Sequence, residues 1–254
     1  MSWPPIARAS IAIAALAYAS WSDLRSREVS DVVWIALVVA AAPMVALEAY
    51  TGHLPLHLLL GSIAVSLALG AIIYLLGLFG GADAKALWCL GVALPTPPPS
   101  PARPMPVSPI FTLSVFDNTV ALAALTSIYA LIRNLAYWAR GGRLFEGLSE
   151  PLHRRALAML IGYKVDPSRV REGGFYFLME EVVEGRRRLK LGALLRAAKA
   201  EEFVREGLSG EVWATPALPM IVYMLAGLVV ALTVGDLVMS LSAYVLSSAL
   251  STST

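Results

Sequence analysis

Two aspartates stand where a carboxylate needs a reason. Asp83 lies in Gly80-Gly81-Ala82-Asp83-Ala84-Lys85, between a long apolar run and a shorter one, and Asp23 lies in Trp21-Ser22-Asp23-Leu24-Arg25-Ser26-Arg27-Glu28, after the first apolar run. A carboxylate within or beside a membrane-spanning segment is costly, so such groups are usually paired, face a wet cavity and mark function. If Asp23 and Asp83 meet, they cannot both ionise easily, so they would share a proton and titrate as a unit. That is the chemistry of peptide-bond hydrolysis without a metal, a thiol or a Ser-His arrangement. The ionised carboxylate takes a proton from the attacking water while the protonated one hydrogen-bonds the carbonyl oxygen. Gly80 and Gly81 would let a substrate backbone approach closely. Plainer readings exist: Asp23 as a solvated charge beside Arg25 and Arg27, and Asp83 as the N-cap of a helix.

The elements that must position the pair are apolar. The 254 residues are 57% hydrophobic and 15% charged, with a mean hydropathy of +0.68, which marks an all-α integral membrane protein. Spans are expected at Pro4 to Trp21, Val32 to Tyr50 and Leu56 to Phe79. The next apolar piece, Ala84 to Leu94, is only about 16 Å of helix, so either part of Pro95 to Pro109 lengthens it or Asp83 is recessed below the membrane surface. Pro95 to Pro101 cannot continue a helix. Phe111 to Trp138 is the fifth span, and Ala217 to Val234 the sixth, with Leu237 to Leu250 as an interfacial or tilted extension. The pattern divides the chain into a membrane domain (1–139), a small cytoplasmic mixed α/β region (140–212) and a last span with its tail (213–254). Within the middle region, Lys190 to Glu206 has helical composition and Gly173 to Leu178 suits a short strand.

Charge placement gives orientation. Of the 20 Lys and Arg, 14 lie between Arg140 and Glu211. Arg25 and Arg27 follow the first span, Lys85 the third, and the large basic region the fifth, so in a six-span topology these loops share one side. Retention of basic residues makes that side cytoplasmic and puts both termini outside. Asp23 and Asp83 then face each other at one depth. The net charge of +2 is too small to argue for nucleic acid, and the single cysteine, Cys89, excludes an internal disulfide framework or a cysteine zinc site.

On these residues the chain resembles the archaeal preflagellin and prepilin peptidases, a branch of the type IV prepilin peptidases within the Gly-x-Gly-Asp aspartic membrane proteases. The match lies in Asp23-Leu24-Arg25-Ser26-Arg27-Glu28-Val29 and in Phe79-Gly80-Gly81-Ala82-Asp83-Ala84-Lys85-Ala86-Leu87. Asn118 and Val212-Trp213-Ala214-Thr215-Pro216-Ala217-Leu218-Pro219 add to it. Ala82 stands where the literal motif has its second glycine. The resemblance implies a membrane aspartic endopeptidase that cuts a short basic leader from archaellin or type IV pilin-like precursors at the cytoplasmic face, with Asp23 and Asp83 catalytic. It implies no metal or other cofactor. The cysteine-rich module of many bacterial relatives is absent, so no N-methyltransferase activity is expected.

Other polar residues have weaker claims. Lys85, two positions after Asp83, suits an interface anchor, with tuning of Asp83 or a contact to substrate as the alternatives; Asp117 and Asn118 could hydrogen-bond the pair or substrate, or cap or lie on the surface near the outer end of their helix. Arg186-Arg187-Arg188 with Lys190 suits a solvated face or anionic lipid, and Glu180, Glu181 and Glu184 would suit a basic leader. The rival function is a small proton- or cation-coupled transporter using Asp23, Asp83 and Asp117. No inverted repeat supports it, and the first two carboxylates lie at one face.

Overall fold

A computed structural model of the chain describes residues 3–76, 80–100, 103–148, 150–171, 176–183, 186–190 and 210–251. The fold is mostly helical with a small sheet region, and contacts divide it into one unit of Met1–Leu122 with Pro219–Thr254 and another of Ala123–Leu218.

The first unit holds α1 (Trp3–Ser26), α2 (Asp31–Tyr50), α3 (Leu56–Leu75), α4 (Gly81–Ala93), the start of α5 (Phe111–Ala139), and, at the chain's end, α8 (Met220–Thr233) and α9 (Leu237–Ser251). Among the described residues, three helices, α2, α3 and α5, are long and apolar enough to cross a membrane; α8 and α9 make a fourth if taken as one span bent by 59° at their break. Of the six expected spans, the first and fourth fall short among the described residues, and the sixth, expected over Ala217 to Val234, reaches the length only if α9 is counted with the 14 residues of α8. α1 carries Arg8, Asp23 and Arg25, and α4 has 13 residues, about 20 Å of helix. With exposed Val32, Ile35 and Val39 on α2 and Leu60 and Leu67 on α3, the chain is a multi-pass membrane protein whose apolar faces suit lipid.

α3 and α4 pack through small residues. Ser62, Ser66 and Gly70 on α3 are buried against α4, and a Cβ on Gly91 would sit 2.3 Å from the Ser66 hydroxyl. Small side chains let membrane helices approach closely enough for backbone hydrogen bonds, and the Ser62 hydroxyl donates to the Gly91 carbonyl at 2.9 Å. Ala12, Leu16, Ala19, Leu37, Leu87, Leu90 and Met224 fill the core between α1, α2, α4 and α8.

Several expected boundaries move. α1 does not end at Trp21 but runs to Ser26, because the polar residues after Trp21 keep helical partners: the Ser26 hydroxyl donates to the Ser22 carbonyl at 3.0 Å. α3 ends at Leu75, and 77–79 lie outside the described residues. Glu48, near the end of α2, is buried and ion-paired with the buried Arg8 of α1, whose guanidinium also donates to the Ala93 carbonyl at 2.7 Å. A charge in a low-dielectric interior persists only when paired and hydrogen-bonded, and this pair ties α1, α2 and α4 together.

The second unit continues α5 and adds α6 (Leu152–Ile161), β1 (Tyr163–Val165), α7 (Pro167–Arg171), β2 (Tyr176–Leu178), β3 (Glu180–Val183), β4 (Arg186–Leu189) and β5 (Val212–Pro216). β5 is the centre of an antiparallel sheet ordered β1-β5-β2, and β3 pairs with β4. The expected strand at Gly173 to Leu178 is present over Tyr176–Leu178; its first residues, and 191–206 of the expected helix, lie outside the described residues. Trp213, fully buried, stacks on Phe145 with ring centroids 5.1 Å apart and donates to the Leu144 carbonyl.

Candidate active site

Asp83 is set by the start of α4. Gly80 is the N-cap residue and Asp83 the third helical residue, so its carboxylate turns back and accepts the Gly80 N–H at 2.8 Å. Asp83 is therefore not the N-cap itself; it satisfies an orphan donor of the first turn from inside the helix. A Cβ on Gly80 would stand 3.3 Å from that carboxylate oxygen, so the glycine leaves the acid uncrowded. Gly81 opens the helix and Ala82 packs half-buried against the core of the first unit.

Asp23 is set by the end of α1. The Ser22 and Ser26 hydroxyls both donate to the Glu28 carbonyl, at 2.7 and 3.3 Å, and fold the chain back after the helix. Arg27 makes the reversal with φ +57°, the left-handed conformation that usually closes a helix with glycine. Its N–H bonds the Asp23 carbonyl at 3.0 Å, and its guanidinium lies 3.7 Å from the Asp23 carboxylate.

Both acids lie outside the helices long and apolar enough to cross a membrane. Burial pushes the Asp83 carboxyl up to about 6; the Gly80 N–H pulls it down, the Asp23 charge pushes it up and Arg27 pulls it down again. Burial also raises Asp23, against the lowering influence of Arg27. The structure thus brings the two acids into one electrostatic neighbourhood with a single cation bearing on both. A carboxyl that keeps its proton toward neutral pH beside one paired to a guanidinium can divide acid and base work between them.

The remaining residues sort differently. Lys85 is ion-paired with Asp31 in the first turn of α2, at 2.6 Å, a role the spacing did not suggest. Asn118, fully buried, donates to the Gly235 carbonyl at 2.8 Å and accepts the Leu237 N–H at 2.9 Å, so it braces the break between α8 and α9. Asp117 lies against Asp236 at the same break. Glu180, considered for a basic leader, is buried and engaged: it accepts the Trp213 N–H at 2.7 Å and pairs with Arg187 and Lys164. Glu181 faces Lys190 at 3.9 Å, and Glu184 lies outside the described residues. Among the described residues no group of His, Cys, Asp and Glu could hold a metal ion. Sequence reasoning missed the double reach of Arg27; its place three residues before the N-cap Ser30 is visible in the sequence, but not its left-handed backbone.

The chain is similar to known proteins over most of its length. The profile of the type IV leader peptidase family matches residues 10–132, and that of the archaeal peptidase A24 C-terminus, type II, matches residues 154–237. The chain is 26% identical over 241 residues to the preflagellin peptidase of Methanococcus voltae, covering 91% of this chain and 97% of that one. It is 25% identical over 229 residues to the preflagellin peptidase of Methanocaldococcus jannaschii, covering 87% and 91%.

Proposed function

Because the chain belongs to the type IV leader peptidase family and is an aspartic-type membrane protease, we propose that it removes the leader from archaellin or pilin-like precursors, with Asp23 and Asp83 as the catalytic pair. The carrying observation is that the buried Asp83 carboxyl, at about 6, feels both the Asp23 charge and Arg27. In this reading Asp83 holds the proton and Asp23, beside Arg27, is the ionised base. Asp23 takes a proton from water as the water oxygen attacks the scissile carbonyl carbon, and Asp83 gives its proton to the carbonyl oxygen. The neutral tetrahedral intermediate then collapses: its C–N bond breaks, the amine leaves with the proton from Asp23, and the hydroxyl proton returns to Asp83. Both carboxyls end as they began.

The proposed topology has six spans, among them Pro4 to Trp21 of α1 and the short piece Ala84 to Leu94, so that both acids lie just outside a span, with a membrane domain 1–139, a cytoplasmic region 140–212 and a last span with its tail 213–254. Arg25, Arg27 and Lys85 hold the dyad at the cytoplasmic face, and both termini lie outside. Arg25 lies over the Trp21 ring, 5.4 Å from its centre, an aromatic and basic pairing suited to a headgroup layer. A precursor's cleavage point, just before its own hydrophobic helix, would then meet the dyad at the membrane surface. The direct test incubates membranes containing the protein with a preflagellin or prepilin and follows leader loss by electrophoretic shift. Shortened precursor supports the reading; intact precursor from sound membranes that contain the folded protein refutes it.

A further inference from the structure

We propose that a cavity at the C-terminal end of α5 binds the phosphate headgroup of an anionic membrane lipid. The cavity, about 420 Å3, is walled by Tyr129, Arg133, Tyr137 and Arg140 of α5 and by Tyr163 and Lys164 of β1, all within the second unit. Its size suits a glycerophosphate group.

Its polar wall is ordered around arginine. The Arg133 guanidinium lies over the Tyr163 ring, 3.9 Å from its centre, and donates to the Tyr129 hydroxyl at 3.5 Å. Stacking fixes the plane of the guanidinium and leaves its edge to bind an oxyanion. Lys164 is occupied, 3.6 Å from the Glu180 carboxylate and donating to the Glu211 carbonyl at 3.0 Å. The Glu211 carboxylate, the acid on the wall, is hydrogen-bonded to Tyr137. Among the described residues neither Arg133 nor Arg140 forms an ion pair. The Tyr163 hydroxyl is bonded to that of Tyr176 at 3.3 Å, so the two guanidinium charges, with the Tyr129 hydroxyl proton, are what the wall offers an anion.

The cavity's other wall points to a lipid rather than a soluble phosphate. α5 is long and apolar enough to cross a membrane, and Leu125, Ile128, Tyr129 and Ile132, three and four residues apart, form an exposed stripe along it. Tyr129 and Ile132 belong to the stripe and also line the cavity. An acyl chain against the stripe would therefore bring its headgroup to Arg133 and Arg140, with Trp138 at interface depth. Basic residues at a span's end are common as anchors. Here they also wall a cavity, which an anchor does not require.

The test is lipid retention by the purified full chain in detergent, read by native mass spectrometry, and does not depend on proteolysis. Phosphatidylglycerol should be retained over phosphatidylcholine by roughly tenfold, the scale expected of two cations facing a headgroup. The Arg133→Gln/Arg140→Gln double variant should erase the preference, whereas Arg169→Gln, an exposed cation on α7 that does not line the cavity, should leave it intact. Should the double variant not fold, Arg140→Gln alone, at an exposed position, must still cut the preference at least roughly threefold. Equal retention of the two lipids, or a preference unchanged in the arginine variants, overturns the proposal. Displacement of phosphatidylglycerol by millimolar inorganic phosphate also overturns it, by making this a site for a soluble anion.

Discussion

The Arg27 guanidinium lies 3.7 Å from the Asp23 carboxylate and also lowers the proton affinity of Asp83, 56 residues further along the chain. Burial is the larger influence on each acid, and this one side chain, held by a left-handed backbone at the end of α1, opposes it at both.

Replacing Arg27 with glycine isolates that electrostatic role, because glycine adopts the φ of +57° without strain. Both carboxyls should bind protons more tightly, and the acid limb of kcat/KM against pH should move to higher pH. At a pH on that limb the rate should drop roughly threefold to tenfold. An unmoved profile would show that Arg27 does not tune the pair.

Asp83→Asn should stabilise the protein at neutral pH while abolishing its role. The folded carboxyl, at about 6, stands above its unfolded value near 4. Between those values the folded chain holds a proton that the unfolded chain has released, so stability declines as pH rises through that window, by up to about 3 kcal/mol. The asparagine carries no such cost. Thermal unfolding in detergent should place the variant several degrees above wild type at pH 7.5, with the two converging near pH 4. A variant that melts lower at pH 7.5 would contradict the assigned cost of burying this charge.

Removing one partner of the Arg8–Glu48 pair should be worse than removing both. Arg8→Met leaves the buried Glu48 carboxylate unpaired and should cost about 3–5 kcal/mol, seen as a lower melting point or poor recovery from membranes. The Arg8→Met/Glu48→Met double variant should recover much of that loss. Additive losses would show that the two charges do not act as a pair.

Asn118→Ala should loosen the corner between α8 and α9 without touching the chemistry. It removes the bonds to Gly235 and Leu237, at a cost of about 1–3 kcal/mol, readable as a lower melting point and faster proteolysis near residue 235. Its kcat/KM should stay within roughly twofold of wild type, since its bonds serve the corner. A large kcat loss with unchanged stability would restore a role at the acids.

The acids themselves were legible because a carboxylate beside an apolar run has few reasons to exist, and the local sequence at Gly80 to Asp83 dictates the turn that holds one of them. What was hidden are the pairings across the chain. Glu48 finds Arg8 forty residues away, Lys85 finds Asp31 fifty-four away, and neither partner is suggested by spacing. The end of α1 was misplaced because hydropathy drops at Ser22 while helical hydrogen bonding continues to Ser26. Of the small sheet, the mixed character of its region and β2 were legible, but β1 and β5 were not: the strands are three to five residues long, and β5 pairs with β1 and β2 across a long stretch of intervening chain, so neither length nor alternation announces them.

The central claim is that Asp23 and Asp83 act as one catalytic pair. The most direct measurement is the initial rate of leader removal by purified wild type, Asp23→Asn, Asp83→Asn and the double variant, each verified as folded by its melting curve. Groups that act as a unit are not additive, so each single variant should lose roughly a thousandfold or more and the double variant little beyond that. Either single variant at near wild-type rate would contradict the account, as would a double-variant loss equal to the product of two modest single losses.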